Sequence, residues 1–197
     1  MKIKNWFKKN TFYKVLVIAV VLAVAGYMLW FFQKMPLIPD GAENIRIDKT
    51  NYSYDNSEPT AVQIIYVQYS GDQFVTHLID LTEEGEQKLI EALKGQKIQA
   101  VWSEGADHAW RSEGRFSFAL KYELDGVEYA PWFYSWSDIQ VTNNWRPLEE
   151  GAKPKFSPAT NYSTKIAGSA EADDLYKTII SIISNYAASD RIINRAE

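Results

Sequence analysis

The stretch Val15–Phe32, VLVIAVVLAVAGYMLWFF, decides how the rest of the chain is read. Its 18 consecutive residues carry no charge and no strongly polar side chain. A helix of that length rises about 27 Å, close to the roughly 30 Å hydrocarbon core of a bilayer. Lipid offers nothing to backbone N–H and C=O groups, so a single span must satisfy them internally, as a helix. The run has no polar face anywhere, which speaks against a helix packed in a soluble core.

The flanks orient the span. Lys2, Lys4, Lys8, Lys9 and Lys14 precede it, Lys34 follows it, and the first acid is Asp40. Excess lysine on the N-terminal side predicts a cytoplasmic N-terminus and an external C-terminal part. Trp6, Phe7, Phe12 and Tyr13 lie before the run, and Tyr27, Trp30, Phe31 and Phe32 close it. Aromatics at both ends suit the two membrane–water interfaces. A cleaved signal peptide is the competing reading, because Ala23-Val24-Ala25 resembles a small-residue cleavage site. The apolar run continues past that site to Phe32, and cleavage would leave a greasy new N-terminus. An uncleaved signal-anchor is therefore expected. The division that follows is a cytoplasmic basic tail at 1–14, a transmembrane helix at 15–32, a linker at 33–41 and an extracytoplasmic domain at 42–197. Pro36 and Pro39 stiffen the linker.

Charge is uneven along the chain. Residues 1–34 hold six lysines and no acid, whereas residues 35–197 hold 15 basic against 25 acidic residues, a net −10. Such a surface repels nucleic acid and anionic head groups, so no nucleic-acid partner is expected. There is no cysteine. A thiol-linked lipid is thereby excluded, and the external domain must stand on packing without disulfides. That points to a bacterial surface protein, in which the acceptor-like Asn51-Tyr52-Ser53 and Asn161-Tyr162-Ser163 are chance matches.

Periodicity outlines the domain. Residues 44–48 suggest a first strand and 49–59 a loop rich in Asn, Ser, Asp and Pro. Residues 61–69 and 73–81 are β-branched and aromatic runs around Ser70-Gly71-Asp72, which predicts a hairpin. Thr82 or Asp80 caps a helix to Lys94, with Glu83, Glu84 and Glu86 in its first turns and Gly95 past its end. Lys97–Ser103 returns as a strand. Arg115–Leu124 alternates cleanly, Asp125-Gly126 supplies a type I′ turn, and 127–136 is the return strand, with Pro131 implying an edge or a bulge. Residues 139–142 suggest a short strand and 143–168 irregular chain. Ser169 opens a last helix whose apolar residues recur at helical spacing, with Arg191 and Arg195 on its C-terminal side. The fold class is α+β: an antiparallel sheet with two helices on one face, preceded by a single transmembrane helix.

Chemistry-bearing motifs are sparse. No Gly-rich phosphate loop, no G-x-S-x-G, no H-E-x-x-H and no EF-hand loop occurs. The loop Glu104–Glu113 is the densest polar cluster. Glu104, Asp107 and His108 form an alternative polar site, suited in residue type to a proton-transfer pair, but the spacing matches no ligand pattern and more simply reads as a solvated turn. No metal and no cofactor are expected. His77 sits within a strand and reads as a hydrogen-bonding residue at a sheet surface or core edge. Glu149, Glu150 and Asp138 offer a carboxylate pairing that any acidic chain provides by chance.

The aromatics carry more. Trp132, Tyr134 and Trp136 share one face of a strand, and Trp110 lies in the polar loop. Exposed, such rings would stack on a ligand or anchor a protein partner. Turned toward the helices they are core, the commoner fate of aromatics. The sequence thus reads as a membrane-anchored extracytoplasmic binding or accessory domain, held in lipid through 15–32, with a membrane-protein or envelope partner at Trp110, Trp132, Tyr134 and Trp136. An envelope hydrolase built on the 104–113 loop is the alternative.

Overall fold

The computed structural model describes residues 2–53, 58–70, 73–101, 114–135, 139–155 and 163–194. The chain divides into two compact units, Met1–Gln33 and Lys34–Glu197.

The first unit is one helix, α1 (Lys2–Phe31). It starts well before the apolar run because the lysine-rich segment ahead of it contains neither Gly nor Pro and has fair helix propensity. Its 21 residues Thr11–Phe31 are long and apolar enough to cross a membrane, and almost none of that surface is buried. Consecutive residues Leu16, Val17 and Ile18, and later Val20, Val21 and Leu22, are all exposed, so the helix shows hydrocarbon on every side. Length and composition suit a membrane anchor or a signal sequence alike.

The second unit is mostly antiparallel sheet. Its elements are β1 (Met35–Pro36), β2 (Glu43–Asp48), β3 (Thr50–Tyr52), β4 (Thr60–Val62), β5 (Ile64–Ser70), β6 (Gln73–Leu81), α2 (Glu83–Leu93), β7 (Lys97–Ala100), β8 (Arg115–Leu124), β9 (Val127–Tyr129), β10 (Trp132–Ser135), β11 (Ile139–Thr142), β12 (Trp145–Pro147), β13 (Thr164–Ile166), α3 (Ser169–Tyr186) and β14 (Ala187–Asn194). Twelve strands form one sheet along the path β1-β7-β13-β11-β10-β8-β5-β6-β14, with β2 and β9 on β8 and β12 on β9; β3 and β4 form a separate pair.

β8 is the spine. Its first half pairs with β5 on one side and β10 on the other, and its second half pairs with β2 and β9. The alternation read from the sequence puts Phe116, Phe118, Leu120 and Tyr122 on one face. There they join Ile64, Ile79, Phe133 and Val141, together with Leu89 and Leu93 of α2 and Leu175, Tyr176, Ile179 and Ile183 of α3, in one buried cluster. Phe118 stacks on Phe133 at 4.6 Å and Phe116 on Tyr176 at 5.7 Å.

The helices meet at a glycine. Thr82 caps α2 by accepting from the Gly85 N–H at 3.1 Å, and the Thr82 N–H donates to the Tyr186 carbonyl at 2.9 Å. A Cβ on Gly85 would stand 2.5 Å from that of Tyr186, so only glycine allows this approach. A polar knot ties the same corner to the sheet. Gln63 accepts from the Leu81 N–H at 2.8 Å and donates to Glu86 at 2.9 Å, and Glu86 accepts from the Ile47 N–H at 2.9 Å. Lys49 pairs with Asp80 at 3.1 Å beside it.

Several expectations are corrected in detail. The last helix stops at Tyr186, and the Arg191 segment is a strand, β14, paired along β6. Ser189 and Asp190 are weak helix formers, while Ile192 and Ile193 suit a strand. The residue ahead of α3 is Gly168 at φ 109°, with no side-chain cap. The expected loop at 49–59 contains β3, and the run at 61–69 breaks at Gln63, whose side chain turns into the knot. The stretch 127–136 splits at Pro131, which lacks an N–H, although its carbonyl still accepts from Leu120 at 3.0 Å. The hairpin turn matches its expected geometry: Leu124 faces Val127, with Asp125 at φ 52° and Gly126 at φ 73°.

Candidate partner surface on the sheet

The segment Trp132–Ser135 alternates across the sheet. Phe133 and Ser135 are buried with the core, whereas Trp132 and Tyr134 point to the opposite face and are half-buried. This face takes the pair because the cross-strand neighbours are small: Trp132 lies opposite Ala119, and Tyr134 opposite Ser117. On the other side they face Thr142 and Gln140. The two ring centroids are 5.9 Å apart, tilted by 36°. The indole N–H of Trp132 is buried without an acceptor among the described residues. Together the rings give a two-ring apolar platform bordered by hydroxyl and amide groups.

The row containing Tyr134 crosses the sheet through Ser117, Ile65 and Leu78 to Arg191. All five positions lie on the face opposite the core. Lys121 and Asp48 pair on it at 2.7 Å.

Trp110, Trp136, Glu104, Asp107 and His108 lie outside the described residues, as does Asp138. Of the expected contact set the structure therefore brings together Trp132 and Tyr134. Glu149 and Glu150 are exposed in the turn after β12. Among the described residues no group of three or more His, Cys, Asp or Glu side chains could hold a metal ion.

His77 is an edge residue. Its Nδ1 lies 3.0 Å from both carboxylate oxygens of Asp190 on β14, and its ring is 5.7 Å from that of Tyr66. Its Nε2 is buried with no partner among the described residues. An imidazole oriented by a carboxylate is half of a catalytic arrangement, but no described hydroxyl meets Nε2 to complete it. The pair holds β14 against β6.

Sequence reasoning missed a second polar centre. Glu128 is only 4% exposed, and Arg146 grips it at two points, Nε to Oε1 at 2.7 Å and Nη2 to Oε2 at 3.1 Å. Arg46 approaches at 3.4 Å from β2. Both arginines are substantially exposed, so the clamp sits at the rim of the sheet. A glutamate in a strand carries no signal of burial until the register opposes it to Arg146. Nearby, burial and then the Tyr129 phenol raise the Tyr122 pKa well above its ordinary 10.0, and its hydroxyl donates to the Leu37 carbonyl at 3.4 Å.

No protein-family model, curated protein or solved structure matches the chain.

Proposed function

We propose that the chain is a single-pass, membrane-anchored binding or accessory protein of a bacterial cell surface. In this reading α1 is an uncleaved anchor with its N-terminus in the cytoplasm. Its α+β domain, two helices covering one face of the sheet, stands outside the plasma membrane. The other face presents Trp132 and Tyr134 to a membrane-protein or envelope partner, with Trp110 and Trp136 as further contacts.

The observation that carries the anchor is the hydrocarbon exposed on every side of the helix from Thr11 to Leu29. In water that surface would cost about 25 cal/mol per Å², and lipid removes the cost. The lysines ahead of it supply the orientation. The half-buried rings on the face away from the core support the partner surface, since aromatic anchors dominate such contacts.

The absence of cysteine makes the test clean. Ser189→Cys should react with a membrane-impermeant maleimide on intact cells, and Asn5→Cys should react only after permeabilisation. The reverse pattern would overturn the orientation. Photo-crosslinking from position 134 in intact membranes should then capture a partner that Trp132→Ala loses.

A further inference from the structure

The small β3–β4 pair borders an open-sided pocket of about 450 Å³ with the face of β6 and β14. That volume falls within the roughly 300–1,000 Å³ typical of small-molecule sites. Its floor is apolar: Leu78 is 1% exposed, and Ile193 lies beside it. Tyr52 and Pro59 form a second apolar wall. Two opposite charges, Arg191 and Glu58, also line it. The Arg191 guanidinium donates to the Thr60 hydroxyl, a neutral acceptor, and makes no ion pair among the described residues. Glu58 likewise makes no ion pair or hydrogen bond among the described residues.

We infer that this pocket binds a small zwitterion with an apolar side chain, a free amino acid or a short peptide. A carboxylate would sit on Arg191, where a guanidinium offers paired donors of matching geometry. An ammonium would sit on Glu58. The apolar side chain would cover Leu78, Ile193 and the Tyr52 ring. A purely anionic ligand would meet Glu58, and a purely cationic one would meet Arg191; only a ligand bearing both charges satisfies both groups. The site is separate from the Trp132–Tyr134 platform and does not depend on it.

The test is calorimetric titration of the full-length protein in nanodiscs at neutral pH. The probes are L-leucine and L-leucyl-L-leucine, with leucinamide and N-acetyl-L-leucine as single-charge controls. Saturable binding of either zwitterion is expected, and the tighter of the two identifies the source. Each control should bind at least about tenfold more weakly, as loss of one charge-assisted contact requires. Arg191→Gln should weaken L-leucine binding about tenfold without weakening leucinamide, which loses a like charge. Glu58→Gln, at a side chain with no ion pair or hydrogen bond among the described residues, should weaken L-leucine without weakening N-acetyl-L-leucine, which loses a like charge. Tyr134→Ala should alter none of these values, which separates this site from the partner surface. The inference is overturned by the absence of saturable heat up to about 10 mM ligand, by controls that bind as well as the zwitterions, or by charge variants that bind as the parent does.

Discussion

Single residues hold the corner where the helices meet. Gly85 has no room for a methyl group, because Tyr186 backbone and Cβ atoms occupy the space. Gly85→Ala should therefore destabilise the domain by about 1–3 kcal/mol through overpacking, read as a lower denaturant midpoint with an unchanged slope. An unchanged midpoint would mean that the helices can separate freely. Tyr122 supplies a pH dependence. Unfolded, its phenol ionises near its ordinary 10.0, while burial keeps it protonated to higher pH in the folded state. The folded state then binds more protons than the unfolded one, so stability is full below pH 10 and falls as pH rises beyond it. Tyr122→Phe removes the group, and its stability loss between pH 9 and about 11 should be shallower than that of the parent. Parallel pH curves would show that the phenol is not protected. Neither residue's role was readable in advance. A glycine inside a helix has no sequence mark that distinguishes a close approach from an accident, and the Tyr122 environment forms from β9 and the segment before β2.

At the scale of elements, local pattern served well where one face had to be buried. β8 alternates because its two faces meet different surroundings, so Phe116 to Tyr122 could be read directly. Asp125-Gly126 could be read because a tight turn needs positive φ, and few residues allow it. The pattern failed where tertiary pairing overrode it. Ala187–Asn194 continues without a Gly or Pro stop, so it reads as helix. It is a strand because β6 offers an unpaired row of backbone groups, and seven residues of β14, from Ala187 to Asn194, take partners along it. Truncation after Tyr186 should strip that cover. The expected result is loss of cooperative unfolding or concentration-dependent association through the bared β6 edge, visible by calorimetry and light scattering. A truncated chain that melts like the parent and stays monomeric would make β14 dispensable. The stretch 127–136 splits at Pro131, which cannot donate to the ladder, but the expected edge or bulge is corrected: β10 lies between β8 and β11, and the register on β8 runs on unbroken.

For the molecule as a whole, the apolar helix and the sheet domain are separate problems in solvation. Deleting 11–31 should move the product from the membrane pellet to the soluble fraction after an alkaline carbonate wash. Leu22→Lys, which places a charge costing about 2.5–3.5 kcal/mol at the helix centre, should weaken retention in the same assay. Full retention of the deleted chain would show that the domain, rather than α1, holds the membrane.

The sequence by itself determined the existence of the apolar helix, the asymmetry of lysine around it, the strand periodicity of β8 and the α+β class. These are local properties, set by composition and by periods of 2 and 3.6 within one segment. Only the tertiary structure decided that Trp132 and Tyr134 face away from the core, that Glu128 is buried under two arginines, and that Leu78, Tyr52 and Arg191 share a pocket. Each of those depends on register between strands distant in the chain. A shift of one residue would exchange the two faces of the sheet, and no single segment specifies that shift.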